Sequence, residues 1–287
     1  MIDASSKIVI TASDGQLGLS FRKVAPKNSP ILFLSKEDLD ITDTQAIARF
    51  FEKHQPQFLI NTAAYTQVDA AENHSQEAFL INRDAVKILT ENCLRYNCKL
   101  IHFSTDYVFD GKKTSPYNES DTALPSTVYG KSKRAGEEAI IESGLIDYLI
   151  IRTSWLYSEY GNNFYKTMLR LAKDREEVRI VNDQRGCPTY APYLAAAVLR
   201  ILPQFQTKHS GVYHYCLRGE ATWYEFASAI FKENHFNIKT IPITTKEYPT
   251  PAARPAYSVL DTQKIVRTFG LDIPSWRDRL NLDYIEF

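Results

Sequence analysis

Short, continuous apolar runs alternate with amphipathic stretches through the first half of the chain. Lys7-Ile8-Val9-Ile10-Thr11, Ile31 to Ser35, Phe58-Leu59-Ile60-Asn61, Lys99 to Ser104 and Tyr148 to Thr153 read as short buried strands. Between them, apolar residues recur at helical spacing. One helix opens at Gly15-Gln16-Leu17-Gly18 and runs to about Val24. A second carries Ala46, Ile47, Phe50 and Phe51 behind a start at Thr42-Asp43, and a long third carries Ala85, Ile88, Leu89 and Cys93 on one stripe. Buried strands that each lead into a helix predict an α/β fold, a Rossmann-type doubly wound parallel sheet with helices on both faces.

After Thr153 the alternation loses its regularity. Pro242, Pro249, Pro251 and Pro255 crowd together and short helices mix with short strands, which predicts a smaller C-terminal α+β lobe. Tyr193 to Leu202 is an apolar helix able to return to the main sheet. The expected division is therefore 1–155 with 182–203 for the larger domain, and 156–181 with 204–287 for the smaller lobe. No repeat, low-complexity tract or heptad pattern is present.

The 287 residues, 44% of them hydrophobic, suffice for one larger and one smaller domain. Thirty-four basic side chains balance thirty-four acidic ones, so no global field attracts nucleic acid or an anionic membrane, and neither is an expected partner. Any anionic ligand must be held locally. Met1 to Lys7 run directly into a strand, without the charged and apolar segments of an export signal, and no membrane span is visible; a cytoplasmic location is expected. The spacing of Cys93 and Cys98 fits neither a zinc ribbon nor a disulfide framework, so the four cysteines are expected as reduced thiols.

Two segments carry chemistry. Ser104-Thr105-Asp106-Tyr107 closes the fourth strand, and Tyr129-Gly130-Lys131-Ser132-Lys133 lies on the helix that follows. Tyr129 and Lys133 are one helical turn apart and share a face, so the ammonium is expected beside the phenol, lowering its pKa. Tyr129 then suits proton donation to a carbonyl oxygen as hydride reaches the carbon, with the Thr105 hydroxyl as a second partner of that oxygen. The implied chemistry is carbonyl reduction.

Ala12-Ser13-Asp14-Gly15-Gln16-Leu17-Gly18 stands where a glycine-rich dinucleotide turn belongs, between the first strand and the first helix. Gly15 lets the backbone approach a pyrophosphate, Gly18 lets helix and strand pack closely, and the helix N-terminus faces the phosphates. Ala12 takes the place of the first glycine, where its methyl group crowds the turn; a plain strand-to-helix turn is the alternative. At the end of the second strand, Leu34-Ser35-Lys36 offers a hydroxyl and an ammonium in place of a carboxylate, which favours NADPH, with NADH as the alternative because Glu37 and Asp38 are near. Asp40 and Ile41 are expected to border the adenine, and Ala63-Ala64-Tyr65 to pass beneath the cofactor.

Further segments extend the series: Asn61 to Thr66, Val68-Asp69, Ser104 to Gly111, Pro116-Tyr117, Tyr129 to Glu137 and Arg152-Thr153-Ser154-Trp155. Downstream lie Gly161-Asn162-Asn163-Phe164, Asp183-Gln184 with Gly186, Pro188-Thr189-Tyr190-Ala191, Trp223-Tyr224-Glu225-Phe226, and Thr250-Pro251-Ala252 with Arg254-Pro255. In this order they resemble the short-chain dehydrogenase/reductase family in its extended form, over nearly the whole chain. The resemblance implies a catalytic trio of Thr105, Tyr129 and Lys133, with Lys133 also on the nicotinamide ribose. It implies a cofactor lining of Gly15, Gln16, Leu17, Asp40, Ile41, Ala63, Ala64 and Tyr65, beside Ser35 at the strand end. Thr105, Asp106 and Trp155 would touch a sugar-nucleotide substrate, and the implied reaction takes dTDP-4-dehydro-β-L-rhamnose to dTDP-β-L-rhamnose.

Asn163, Gln184 and Arg254 are candidates for the nucleotide or its diphosphate, Arg254 through a bidentate contact; capping or surface pairing is an equal alternative for the first two. Some members of the family form a magnesium-dependent dimer through glutamates, one of them at the position of Ser20, so no metal is expected and a monomer or weak homodimer is. Trp155 alternatively reads as a core aromatic, His102 and His214 as core histidines, and Asp69 with Glu72 as a helix start without chemistry. Family dehydratases place Asp-Glu after the threonine, where this chain has Asp106-Tyr107, and tyrosine is a poor base near neutral pH. A 4-epimerase would have to reduce its own transient ketone after turning it over; the motif series as a whole points away from that, although the Tyr129 to Lys133 spacing alone fits either enzyme. The alternative of a different class is a non-catalytic NADP-binding regulatory subunit resembling that of methionine adenosyltransferase.

Overall fold

Each apolar run of the first half becomes a strand because its alternate side chains are covered from both sides of one sheet. The computed structural model describes residues 7–278 and 280. Strands β1 (Ile8–Thr11), β2 (Ile31–Phe33), β3 (Phe58–Asn61), β4 (Lys99–Thr105) and β5 (Tyr148–Thr153) pair in parallel. Ile8, Ile10, Ile60, Ile101 and Ile151 belong to the core on one face, and Val9, Leu59, Leu100 and Ile150 to the core on the other. Such two-sided burial produces continuous apolar strands rather than an alternating pattern.

The intervening helices are α1 (Gln16–Val24), α2 (Thr44–His54), α3 (Val68–Ala71), α4 (Ser75–Phe79), α5 (Ala85–Arg95) and α6 (Val128–Ile141). Asp43 caps α2, accepting from the Gln45 and Ala46 amides at 2.9 Å each. The long helix read around Ala85 is in fact preceded by α4 and a π turn at Leu80–Asp84.

Beyond β5 come β6 (Leu156–Tyr157), α7 (Phe164–Asp174), β7 (Glu177–Val181), β8 (Arg185–Gly186), β9 (Thr189–Tyr190) and α8 (Ala191–Ile201). They are followed by β10 (Gly211–His214), β11 (Ala221–Thr222), α9 (Trp223–Glu233), β12 (Lys239–Ile243) and α10 (Gln263–Phe269). Three two-stranded pairings, β6 with β9, β7 with β12 and β8 with β11, organise this part. The division expected from sequence needs one correction. Residues 211–214, assigned there to the smaller lobe, form the sixth strand of the main sheet, with Gly211 opposite Leu149 and His214 opposite Arg152. Its sequence, Gly211-Val212-Tyr213-His214, has a single aliphatic residue and so lacks the continuous apolar run that marks the other strands. One core also runs through both parts, from Ile10 on the sheet through Leu194 on α8 to Phe226 and Trp276.

The sheet order is β2-β1-β3-β4-β5-β10. The chain leaves β1 toward β2 on one side and continues through β3 on the other, so the crevice between the C-terminal ends of β1 and β3 is a topological switch point, where ligands of open α/β sheets bind. Among the described residues no helix is long and apolar enough to cross a membrane. The four cysteines are free and buried.

Candidate active site

The N-terminus of α6 is pinned from three directions. Thr127 accepts the Gly130 amide at 3.0 Å, Glu72 accepts the Val128 amide at 2.9 Å, and Gly130 lies so close to the Tyr107 carbonyl oxygen that any Cβ there would collide with it. These contacts set Tyr129, in the first turn, over the C-terminal end of β4. Its ring meets that of Tyr107 edge-on, with centroids 5.7 Å apart. Thr105, the last residue of β4, accepts the Tyr107 amide at 3.2 Å and donates to Asp106 Oδ1 at 3.1 Å, with its hydroxyl beside the Tyr129 phenol.

Tyr129, Lys133 and Glu137 follow one another at four-residue intervals along one stripe of α6. Glu137 is fully buried and grips Arg152 with two hydrogen bonds, of 2.8 and 2.7 Å, while Arg134 reaches it at 2.9 Å. Burial pushes the Glu137 carboxyl up, but Arg152, Ser104 and Arg134 together hold it below its ordinary value. Lys133 is 2% exposed, and its Nζ lies 3.3 Å from His102 Nε2. Burial lowers Lys133 to about 8, against the pull of Glu137.

The electrostatics of Tyr129 differ from the sequence expectation. Enclosure pushes the phenol up to about 12; the Thr105 hydroxyl pulls the other way and the Asp106 charge adds to the rise. Desolvation disfavours the phenolate, and the Lys133 amine is engaged with His102. Tyr129 therefore holds its proton at neutral pH, the form required of an acid. Asp106, 2% exposed, is pushed by burial up to about 6, while hydrogen bonds from Ser258 and Thr105 oppose the rise.

At the end of β1, Ala12 adopts φ +46°, the left-handed conformation that a glycine would take without strain. Its carbonyl accepts the Gly15 amide at 3.0 Å. A Cβ on Gly18 would come within 2.5 Å of the Ala12 oxygen and of Ser13 Cα, so only glycine lets α1 approach β1 here. Gly15 is the N-cap of α1 and no side chain caps the first turn, which leaves its amides to face an anion. Leu17 packs its side chain into the core, and Gln16 accepts from Asn163 Nδ2 at 3.1 Å. Past β2, Asp38 accepts the Ser35 amide and hydroxyl at 2.9 Å each. Arg22 donates to Ser13 Oγ at 2.9 Å, lies over the Phe33 ring at 4.5 Å and acts electrostatically on Asp38. Asp40 accepts the Thr42 amide and hydroxyl, and Ile41 is buried with Leu39 and Ile47. Ala63 and Ala64 are partly exposed where β3 ends, and Asn82 bonds both backbone groups of Tyr65 and the Ser132 hydroxyl, tying that turn to α6.

Trp155 follows β5 in the left-handed region, at φ +44°. Its indole lies flat on that of Trp223, with centroids 3.4 Å apart and 7° between the planes, and rests against Gly186. Gln184 uses both ends of its amide inside the protein, accepting from Trp223 Nε1 at 3.1 Å and donating to Thr245 at 3.0 Å. Asn163 caps α7 by accepting the Lys166 amide at 3.0 Å and donates to the Ser158 and Tyr160 carbonyls. For these two residues the geometry is that of a buttress and a cap. Arg254 reaches Asp69 at 2.6 Å.

Thr105, Asp106, Tyr129 and Lys133 thus converge where β4 meets α6, and Gly15, Ala63 and Ala64 sit at the neighbouring strand ends. Sequence reasoning missed Arg22 and gave no chemical role to Asn61, Trp223, Glu72, Asp69 or His102. Arg22 had a signal, a basic residue one turn past Gly18; the others are brought in by tertiary contacts between distant segments.

The family model for the RmlD substrate binding domain matches residues 6–286. A dTDP-4-dehydrorhamnose reductase of Aggregatibacter actinomycetemcomitans is 41% identical over 286 residues, covering 96% of this chain and 97% of that protein. The spore coat polysaccharide biosynthesis protein SpsK of Bacillus subtilis (strain 168) is 39% identical over 282 residues, covering 98% and 97%. Among solved structures, the dTDP-4-dehydrorhamnose reductase of Bacillus anthracis str. Ames in complex with NADP superposes with a TM-score of 0.91 at 36% identity, covering 96% of this chain and 97% of that one. With a match that runs almost end to end, the chain belongs to the RmlD family, the family of the dTDP-4-dehydrorhamnose reductases.

Proposed function

We propose that this chain is an NADPH-dependent oxidoreductase that reduces the 4-keto group of dTDP-4-dehydro-β-L-rhamnose to give dTDP-β-L-rhamnose. The observation that carries the reading is the convergence of the Thr105 hydroxyl, the protonated Tyr129 phenol and the Lys133 amine at the C-terminal end of β4. The crevice beside them fits a dinucleotide: the close-packed turn at Gly15 and Gly18 and the uncapped first turn of α1 suit a pyrophosphate. Arg22 beside Ser35 suits the 2′-phosphate that distinguishes NADPH.

When bound, NADPH supplies the hydride. Thr105 and Tyr129 would hold the keto oxygen between two hydroxyls, and Tyr129 would deliver its proton to that oxygen as negative charge builds there. The ammonium form of Lys133 would stabilise the phenolate left behind and hold the nicotinamide ribose. Asp106, the Trp155–Trp223 stack and Arg254 would line the sugar-nucleotide side, with Gln184 and Asn163 supporting them from behind. In this reading residues 1–155 with 182–203 and strand β10 hold the cofactor, and 156–181 with the rest of 204–287 hold the substrate. A cytoplasmic monomer or weak homodimer without nucleic-acid partners completes it. The test supplies the keto sugar nucleotide, follows NADPH and NADH absorbance separately, and reads the C4 configuration of the product by NMR. Absence of coenzyme oxidation with the intact protein overturns the reading.

A further inference from the structure

Behind Lys133 a buried polar chain crosses three neighbouring strands. Thr11 Oγ1 on β1 donates to Asn61 Oδ1 on β3 at 2.8 Å. Asn61 Nδ2 faces His102 Nδ1 on β4 at 3.2 Å, and His102 Nε2 faces Lys133 Nζ on α6 at 3.3 Å. All four residues are at most 2% exposed, so each polar atom must find its partner within the chain.

A backbone amide fixes the direction of these bonds. The Ala63 N–H can only donate, and it lies 3.2 Å from Asn61 Oδ1, where the Thr11 hydroxyl also arrives. That oxygen is the acceptor of both, so the NH₂ end of Asn61 is turned to His102. It has only protons to offer, which makes His102 Nδ1 the acceptor. A neutral ring with Nδ1 accepting carries its proton on Nε2, and burial keeps this ring neutral. The Nε2–H therefore points at Lys133 Nζ. An ammonium has three donors and no acceptor, whereas a neutral amine offers a lone pair to that N–H.

We infer that His102, its tautomer set by Asn61, is a positioning residue that favours the neutral amine of Lys133 over the ammonium and so fixes the alkaline limit of the reaction. The inference rests on the reading above, in which the Lys133 charge serves Tyr129. Below that limit the ammonium stabilises the phenolate; above it the amine is satisfied by His102 and the phenolate stands uncompensated. Other groups that face this pair have settled states. Glu137, which opposes the effect from α6, is itself paired with Arg152 of β5 and Arg134, while Asp106 acts on Tyr129 and Asn61 is neutral. The lowered proton affinity of Lys133, about 8, agrees with this arrangement.

Asn61→Asp tests it with almost no change of shape. A carboxylate still accepts from Thr11 and Ala63, but toward His102 it can only accept, so the ring proton moves to Nδ1 and Nε2 becomes an acceptor for the Lys133 ammonium. In long-range ¹H–¹⁵N spectra of the full chain, His102 should show the Nε2–H tautomer in the unaltered protein and Nδ1–H in the variant; Nδ1–H in the unaltered protein overturns the inference. The alkaline limb of the kcat–pH profile should move up by at least about one pH unit, a tenfold gain in proton affinity of Lys133. A lower kcat with an unmoved limb means that the chain serves packing alone, and also overturns it. Should Asn61→Asp fail to fold, His102→Gln, whose amide oxygen can turn to the ammonium, must move the limb the same way. Because the tautomer is read without substrate, it decides this inference even if the unaltered protein oxidises no NADPH, the result that would instead sink the functional reading.

Discussion

Asp69 and Arg254, 185 residues apart in sequence, form an ion pair of 2.6 Å, and the other oxygen of Asp69 accepts the Ala252 amide at 3.1 Å. One carboxylate on α3 thus fastens the proline-rich segment around Ala252 to the segment that follows β3. The pair is partly exposed, at 20% for Arg254 and 41% for Asp69, so its worth to stability is small, about 1 kcal/mol or less. Its value is in placement. Arg254→Ala is expected to raise KM for the sugar nucleotide about tenfold, the loss of roughly one charge-assisted hydrogen bond, and to change kcat little. Asp69→Asn should raise KM less, and the double variant should be no worse than Arg254→Ala alone. Additive effects in steady-state kinetics would separate the two residues functionally.

Removal of the Tyr129 hydroxyl isolates its chemical role. Tyr129→Phe keeps the ring packed edge-on against Tyr107 and should bind coenzyme and sugar nucleotide normally, while turnover falls at least about a hundredfold, the usual scale for a positioned acid. Isothermal titration for binding and stopped-flow absorbance for hydride transfer distinguish the two effects. A variant with near-normal turnover would move the acid to another group.

The parallel sheet was legible because strands covered on both sides carry uninterrupted apolar runs, and Ile8 to Thr11 and Tyr148 to Thr153 are too short for helices of this kind. The meeting of Thr105, Tyr129 and Lys133 was legible because its logic is local: a strand end, then two residues one turn apart. Strand β10 was not, since its four residues gain their place only by pairing with β5. Nor was the state of Tyr129. Helical spacing brings Lys133 to the same face, but whether a charge or desolvation dominates depends on what encloses the pair, and Glu72, His102 and Asn61 arrive from three separate segments. The same limit applied to Gln184, whose amide is engaged by Thr245 and Trp223, both distant in sequence, whereas the capping of α7 by Asn163 is local and was among the readings its sequence offered.

Ala12 gives a prediction that follows from backbone strain alone. An L-residue in the left-handed region costs about 1–2 kcal/mol, and Ala12 sits there at φ +46°. Glycine relieves the strain but adds freedom to the unfolded chain, which returns about 0.5–1 kcal/mol. Ala12→Gly should therefore stabilise the protein by about 0.5–1 kcal/mol in urea denaturation, and coenzyme affinity should hold or improve as the turn loses its methyl group. A destabilised variant would show that the methyl group makes packing contacts that outweigh its strain.

Asp106 ties stability to pH, with a definite sign. Its carboxyl is raised from 3.8 to about 6 in the folded chain, so over that interval the fold binds a proton that the unfolded chain has released. The group's contribution is therefore fully present below about pH 4 and is lost as pH rises through about 6. At about 1.4 kcal/mol for each pKa unit, the change is about 3 kcal/mol for a site this buried. Asparagine keeps the shape and carries no charge to desolvate. The difference in unfolding free energy, Asp106→Asn minus unaltered protein, should then grow by about that amount between pH 4 and pH 7 and level off above, which urea titrations at several pH values measure directly. A difference that stays constant over the interval would mean that Asp106 ionises in the fold as readily as in the unfolded chain, and that burial beside Thr105 is offset by the hydrogen bonds that reach it.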